Sequence, residues 1–215
     1  INEGTQNVVS LSATDEDGDT LSYSIATNDN NLFEINSGTL RFVASGGADY
    51  ESPGCGSSSN TCTVSILAND GATTTALSMT ITIGDLNDEA PVWVSSATQS
   101  VNENTQTVTS LSATDADAGD SVSYSITTND NNLFELSNGE LRFVAGSGAD
   151  YESPGCGSSS NTCTVTVLAS DSGSTNTASR TFTITIGDVN DQTPTYSGGD
   201  VTPSVAEGTT AVDSF

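Results

Sequence analysis

The sequence predicts an all-β protein made of two consecutive antiparallel β-sandwiches, and three observations carry that expectation. Apolar residues alternate with polar ones at a period of two. The whole pattern returns after about 100 residues, so each copy is a domain rather than a solenoid unit. Short loops of Gly, Asn, Asp and Ser separate the apolar stretches.

The strands are legible one by one. Leu21, Tyr23 and Ile25 alternate with Ser22 and Ser24, and Val64 and Ile66 alternate with Thr63 and Ser65. Leu77, Met79, Ile81 and Ile83 alternate with Ser78, Thr80 and Thr82. The second copy has Val122, Tyr124 and Ile126, then Val165 and Val167, then Phe182, Ile184 and Ile186. Strict alternation rich in β-branched and aromatic residues predicts half-buried strands, and no segment offers a helical face. The Cys…Trp…Cys spacing of immunoglobulin domains is absent.

The repeat is visible outside the strands as well. Asn2-Glu3-Gly4-Thr5 returns as Asn102-Glu103-Asn104-Thr105 and, loosely, as Ala206-Glu207-Gly208-Thr209. Ser10 to Asp15 returns as Ser110 to Asp115, and Asp49-Tyr50-Glu51 as Asp150-Tyr151-Glu152. Asp85-Leu86-Asn87-Asp88 returns as Asp188-Val189-Asn190-Asp191. The division that follows is a first repeat over 1–88 with an incomplete first strand, a second over 89–191, and the start of a third over 192–215. The abrupt start and stop read as a piece excised from something longer.

Charge narrows the function. There are 28 Asp plus Glu against 3 Arg, with no Lys or His, a formal net charge of −25. Nothing here can neutralise phosphates, which excludes nucleic acid and anionic membrane surfaces as partners. No apolar run reaches the length of a membrane span. The remaining readings are a solvated acidic surface or a cation partner. The absence of His removes the commonest general base, no motif supports an activated Ser or Cys, and the carboxylates map to domain ends rather than a cleft, so an enzyme is not expected. Cys55 and Cys62 recur as Cys156 and Cys163 with the same residues between them, which predicts two short-loop disulfides and an oxidising compartment rather than a thiolate metal site.

The acidic residues cluster at strand and loop ends: Glu3, Asp15 with Asp17, Asp49 with Glu51, Asp70, and Asp85 with Asp88. Packed carboxylates persist only if solvated or bridged by a hard cation, and calcium accepts six to eight such oxygens in irregular geometry. No segment matches an EF-hand loop.

The order and spacing of these clusters resemble the cadherin family over almost the whole chain. The matching elements are the early Glu (Glu3; Glu103), Asp-x-Asp before a Tyr-Ser-Ile strand (Asp15, Asp17, Tyr23; Asp115, Asp117, Tyr124) and a Phe…Gly-x-Leu stretch (Phe33 to Leu40; Phe134 to Leu141). They continue with Ala-Asp-x-Glu (Ala48 to Glu51; Ala149 to Glu152), Ala-x-Asp (Ala68 to Asp70; Ala169 to Asp171) and the linker Asp-x-Asn-Asp-x-x-Pro-x-aromatic (Asp85 to Trp93; Asp188 to Tyr196). The resemblance implies Greek-key sandwiches of immunoglobulin-like architecture with calcium between successive repeats. The junction of repeats 1 and 2 would then take Glu3, Asp49 and Glu51 from repeat 1, and Asp85, Asn87 and Asp88 from the linker with the carbonyls of Leu86 and Glu89. Repeat 2 would supply Asp115, Asp117 and Asp171, with a carbonyl from Ser121. Three calcium ions are implied, which would offset six charges among the eight carboxylates named. Glu103, Asp150, Glu152, Asp188, Asn190 and Asp191 would form an incomplete second junction, and Asp15, Asp17 and Asp70 an incomplete N-terminal end. Glu89 and Gln192 stand where the family linker ends in Asn, and Ser121 replaces another Asn; the backbone serves at these positions.

Asn28 to Asn31 and Asn129 to Asn132 read as surface turns, since Asn and Asp tolerate left-handed conformations. Trp93 and Tyr196 are expected to pack at the base of the sandwich that follows each. The three Arg are too few for an anion site. The functional expectation is an extracellular, cell-surface or secreted calcium-binding adhesion or extender module. A carbohydrate- or protein-binding module of a secreted bacterial protein stands as the alternative, and the lack of sequons, the Ser/Thr/Asp-rich composition and the near-identity of the repeats favour a bacterial adhesin-like array. Spacer repeats of a secreted enzyme are the third reading. Polysaccharide or a cell-surface protein are the partners considered beside calcium.

Overall fold

The computed structural model describes residues 1–56, 59–144, 148–157, 160–172 and 176–196. The start of the third repeat from 197 onward, including Ala206 to Thr209, lies outside them, as does Gly173. The described residues contain strands and two single 3-10 turns, with no helix able to cross a membrane.

Repeat 1 contains β1 (Asn7–Ser10), β2 (Ser22–Asn28), β3 (Phe33–Asn36), β4 (Thr39–Phe42), β5 (Thr61–Asn69) and β6 (Thr74–Thr82). One sheet runs β1-β4-β3 and the other β2-β5-β6, all antiparallel. Repeat 2 begins with β7 (Val92–Trp93) and β8 (Thr98–Asn102), which precede β9 (Thr107–Ser110) and β10 (Ala113–Thr114). It continues with β11 (Ser123–Asn129), β12 (Phe134–Ser137), β13 (Glu140–Phe143), β14 (Thr162–Ser170) and β15 (Thr177–Gly187). Its sheets are β9-β13-β12 and β11-β14-β15-β8, with β7 and β10 forming a small pair. In repeat 1 the chain crosses between sheets after β1, β2 and β4, and in repeat 2 after β8, β9, β11 and β13, the crossovers of a Greek-key sandwich. β8 pairs in parallel with β15, and repeat 1 keeps one trace of that pairing in the parallel bridge of Asn2 with Gly84.

Each sandwich has its own core. Phe33, Leu40, Phe42, Val64, Ile66, Ile81 and Ile83 close repeat 1. Phe134, Leu141, Phe143, Val165, Val167, Phe182, Ile184 and Ile186 close repeat 2. Alternation places these residues inward because successive side chains of a strand point to opposite faces. Leu77 departs from the expected pattern: it is 58% exposed, because no described residue covers the upper part of β6.

The β3–β4 and β12–β13 hairpins turn at Ser37-Gly38 and Asn138-Gly139, where both central residues have positive φ. That is the type I′ geometry whose twist suits a two-residue hairpin. The expected disulfides Cys55–Cys62 and Cys156–Cys163 are both formed. The Asn-rich turns do hold left-handed residues, Asn30 and Asn31 in one and Asn131 and Asn132 in the other. They also anchor the cysteine loops: Asp29 accepts from the Gly56 N–H at 3.0 Å, and Asp130 from the Gly157 N–H at 2.9 Å.

Candidate metal centre between the repeats

Glu3 organises the base of repeat 1. Its N–H donates to the Gly84 carbonyl at 2.9 Å, and the Gly4 N–H donates to the Ala48 carbonyl at 2.9 Å. Its carboxylate accepts from the Tyr50 N–H at 2.6 Å and from the Leu86 N–H at 2.7 Å. One buried side chain thereby holds the first turn, the Ala48–Glu51 segment and the start of the linker together. Gly47 permits that approach: its φ is +86°, and a Cβ there would stand 2.5 Å from the Thr5 carbonyl oxygen. Only glycine meets both conditions.

The linker is tied in turn to the top of repeat 2. Asp85 accepts from the Ala118 N–H at 2.7 Å, and Asp117 accepts from the Glu89 N–H at 3.1 Å. The Asn87 amide donates to the Asp120 carboxylate and to the Ser172 carbonyl, while the Asn176 amide donates to the carbonyl and side-chain oxygen of Asn87. The Leu86 carbonyl accepts from the Asp88 N–H at 3.0 Å. The Ser121 N–H approaches the Ser172 hydroxyl at 3.5 Å.

Three sets of carboxylates converge here. Oxygens of Glu3, Asp49 and Glu51 lie within 4.8 Å of one another, as do those of Glu51, Asp88 and Asp117, and those of Asp115, Asp117 and Asp171. The middle set draws one residue from repeat 1, one from the linker and one from repeat 2. A space of about 190 Å³ opens beside Glu3, Asp49, Glu51 and Asp88. Buried oxygens of Asp85 (Oδ1), Asp115 (Oδ2) and Asp117 (Oδ1) accept no hydrogen bond. Unsatisfied buried carboxylate oxygens are costly, and no protein cation offsets them. Arg41 and Arg142 pair with Glu34 and Glu135, and Arg180 lies over the Trp93 ring.

The electrostatic strain appears in protonation. Desolvation, then the charges of Glu3, Asp85 and Asp117, push Glu51 up to about 7 against hydrogen bonding from its own backbone. Desolvation and the charges of Glu3, Asp49 and Asp85 raise Asp88. Asp117 is raised by desolvation and by Asp115 and Asp85, with the Glu89 and Asp88 N–H groups acting the other way. A divalent cation relieves all three. An all-oxygen donor set within 4.8 Å suits calcium, because two ligands on one ion at about 2.4 Å each stand no farther apart than that. The residues fit the ion.

No protein-family model matches the chain, and no curated protein matches it. Solved structures do. The human protocadherin-24 EC1-2 structure superposes with a TM-score of 0.67 at 24% identity, covering 85% of this chain and 88% of that one. Drosophila N-cadherin EC1-4 gives 0.65 at 19% identity, over 87% of this chain and 47% of that one. Mouse protocadherin-24 EC1-3 gives 0.63 at 22%, over 86% and 59%. The chain has the cadherin-like tandem fold.

The two outer ends of the cadherin-like pair differ from the centre. At the base of repeat 2, Glu103 repeats the role of Glu3, accepting from the Tyr151 N–H at 2.6 Å and the Val189 N–H at 2.7 Å. Oxygens of Glu103, Glu152 and Asp188 lie within 4.8 Å, and desolvation with the charges of Glu103, Asp191 and Asp150 raises Glu152. Asp191 accepts instead from the Asn104 amide at 2.7 Å and the Gln192 amide at 2.8 Å. Asp150 accepts from the Ser153 N–H at 3.0 Å, and Asn190 is exposed. At the top of repeat 1, Asp15 accepts from the Asp17 N–H at 2.9 Å, and Asp17 is exposed. Asp70 is satisfied by its own turn, and Thr73 hydrogen bonds with that of Ala72 lower it to about 2.

Trp93 packs as expected, 5.3 Å from Tyr124 and 5.6 Å from Phe182 between ring centroids. The sandwich that Tyr196 is expected to enter lies outside the described residues. Asp120 and Asn176, which position Asn87, were not expected. Asp120 stands four residues before Tyr124 as Asp19 stands four before Tyr23, so the repeated Gly-Asp was its sequence trace, and the one extra residue of repeat 2 is Ala118.

Proposed function

We propose that this chain is a calcium-binding extender or adhesion module of a cell-surface or secreted protein, with its division falling after Asp88 and again after Asp191. The convergence of Glu51, Asp88 and Asp117 from three parts of the chain carries this reading. Calcium bound there would cancel the mutual repulsion and join repeat 1, linker and repeat 2 through shared ligands. Glu3 holds the linker against repeat 1, and Asp85, Asn87 and Asp117 hold it against repeat 2, so the protein side of the joint is already preorganised. The two disulfides support an extracellular setting. The carboxylates sit at domain ends without His beside them, which supports a non-enzymatic role. The carbohydrate reading gains nothing, since Trp93 is engaged in its own sandwich.

Extracellular calcium modules bind in the range of about 0.1–1 mM. Titration over that range is expected to raise the melting temperature, because the ion binds only the folded form. Small-angle scattering in calcium then compares two double variants. Asp115→Ala with Asp117→Ala should loosen the pair and lose its extended profile, while Asp15→Ala with Asp17→Ala should keep it. Equal behaviour of the two variants, or coincident melting with calcium and chelator, contradicts the reading.

A further inference from the structure

Asn87 is the only amide among the side chains named for the central junction, and only one end of it can serve a cation. Its Oδ1 has lone pairs to offer, whereas its Nδ2 is a donor alone. The structure sorts the two ends. Nδ2 donates to the Asp120 carboxylate and, at 3.2 Å, to the Ser172 carbonyl. Oδ1 and the backbone carbonyl oxygen of Asn87 each accept from the Asn176 amide at 3.3 Å. A reversed amide would set its oxygen against the Asp120 carboxylate and its nitrogen against the Asn176 donor, so the network favours one orientation.

Asp120 is held from the other side as well. The Ser172 hydroxyl donates to it at 2.9 Å, and the Ser121 N–H approaches that hydroxyl at 3.5 Å. The loops that follow β10 and β14 thereby meet on one residue of the linker. Asp120 belongs to none of the carboxylate sets that converge at the joint. Two other ties of the linker to repeat 2, Asp85 with Ala118 and Asp117 with Glu89, use carboxylates that an ion would also claim. The bond from Asn87 to Asp120 spends an amide nitrogen that a cation does not take, and its charged acceptor makes it stronger than a neutral pair.

We propose that Asp120 is a positioning residue of the joint and not one of its ligands. It holds the Asn87 nitrogen aside, so that the amide oxygen is the end left to an ion, and it pins the linker to repeat 2 before any ion arrives. The part that concerns the ion rests on the calcium reading; the pinning of the linker does not.

Asp120→Ala and Asp120→Asn remove the same charge, but Asn keeps an oxygen for the Asn87 nitrogen and can donate to the Ser172 hydroxyl. Comparing them isolates the hydrogen bond. With chelator, nitrogen relaxation of the Asn87 side-chain amide should report an ordered group in the unaltered chain and in Asp120→Asn, and a freely moving one in Asp120→Ala. In a calcium titration followed by Trp93 fluorescence, Asp120→Ala should bind several-fold more weakly than Asp120→Asn. Trp93 packs inside repeat 2, so its emission with chelator also confirms that each variant is folded. An Asn87 amide that moves alike in the unaltered chain and in Asp120→Ala overturns the proposal. Equal calcium affinities of the two variants overturn it too, because charge alone would then account for Asp120. If the unaltered chain binds no calcium while Asp120→Ala still frees the Asn87 amide, the calcium reading falls and the pinning of the linker is upheld.

Discussion

Asp17 and Asp117 occupy the same position in two copies of one motif and live in different surroundings. Asp117 is 4% exposed and accepts a linker N–H, whereas Asp17 faces solvent. Asp171 is 5% exposed, while its counterpart Asp70 is bonded to its own turn. The cores follow suit: Phe182 is fully buried under Trp93, and Met79 in the same register is only partly buried. The motif decides which oxygens and which strands are present. The segment that precedes a repeat decides whether those groups are dry and crowded.

Removing that segment's anchor tests this most directly. Trp93→Ala should destabilise repeat 2 by about 3–5 kcal/mol, as expected for deleting a large core aromatic. Met79→Ala should cost repeat 1 less than about 2 kcal/mol, because Met79 already borders open space. Hydrogen exchange resolved by repeat measures both, and equal losses would end the comparison.

The disulfides should show the opposite behaviour. Each closes the same short loop, Cys55–Cys62 and Cys156–Cys163, with Cα atoms 5.1 and 5.0 Å apart. Replacing either pair by Ser should cost its own repeat about 2–3 kcal/mol in the chain-entropy model, nearly the same in both. A marked inequality in denaturant unfolding would mean that the preceding segment reaches this end of the sandwich too.

The smallest effect is in pH, and its sign differs between the sites. Without calcium, Glu51 titrates near 7 in the folded protein against 4.5 as its ordinary value. The folded state therefore holds more protons between those values, and stability falls as pH rises from about 4.5 to about 7. Glu51→Gln should flatten that slope in melts made with chelator. Asp70, lowered to about 2 from 3.8, works the other way: its contribution is present above 3.8 and fades as pH falls through about 2.

Alternation made β5, β6, β14 and β15 readable in advance, because a half-buried strand must present one apolar face. Clustered Asp and Glu at strand ends were legible too, and the fold brings Glu51, Asp88 and Asp117 together from three parts of the chain. Other features depend on distant contacts. Leu77 follows the buried pattern, yet its exposure depends on whether a separate segment lies over β6. Asn30 and Asn31 showed their left-handed turn, while the grip of Asp29 on the cysteine loop needed a partner 27 residues away. Asp70 and Asp171 look alike as letters, yet Asp171 is buried at the junction and Asp70 only partly so.

The parallel seam of β8 against β15 sets an order of events in time. Hairpins such as β12–β13 close locally, but Trp93 must reach Ala178 across 85 residues, and such closures come late because their entropy is lost before any contact rewards it. The strand that seals repeat 2 is the continuation of the linker, so the last step of its folding should also bring Asp85 and Asp88 to Asp117. Pulse-labelled exchange should find the Thr98–Asn102 amides protected after those of β12 and β13. A newly made chain would thus assemble the proposed calcium joint only once the sandwich beyond it has closed, which would keep half-finished repeats from being locked together.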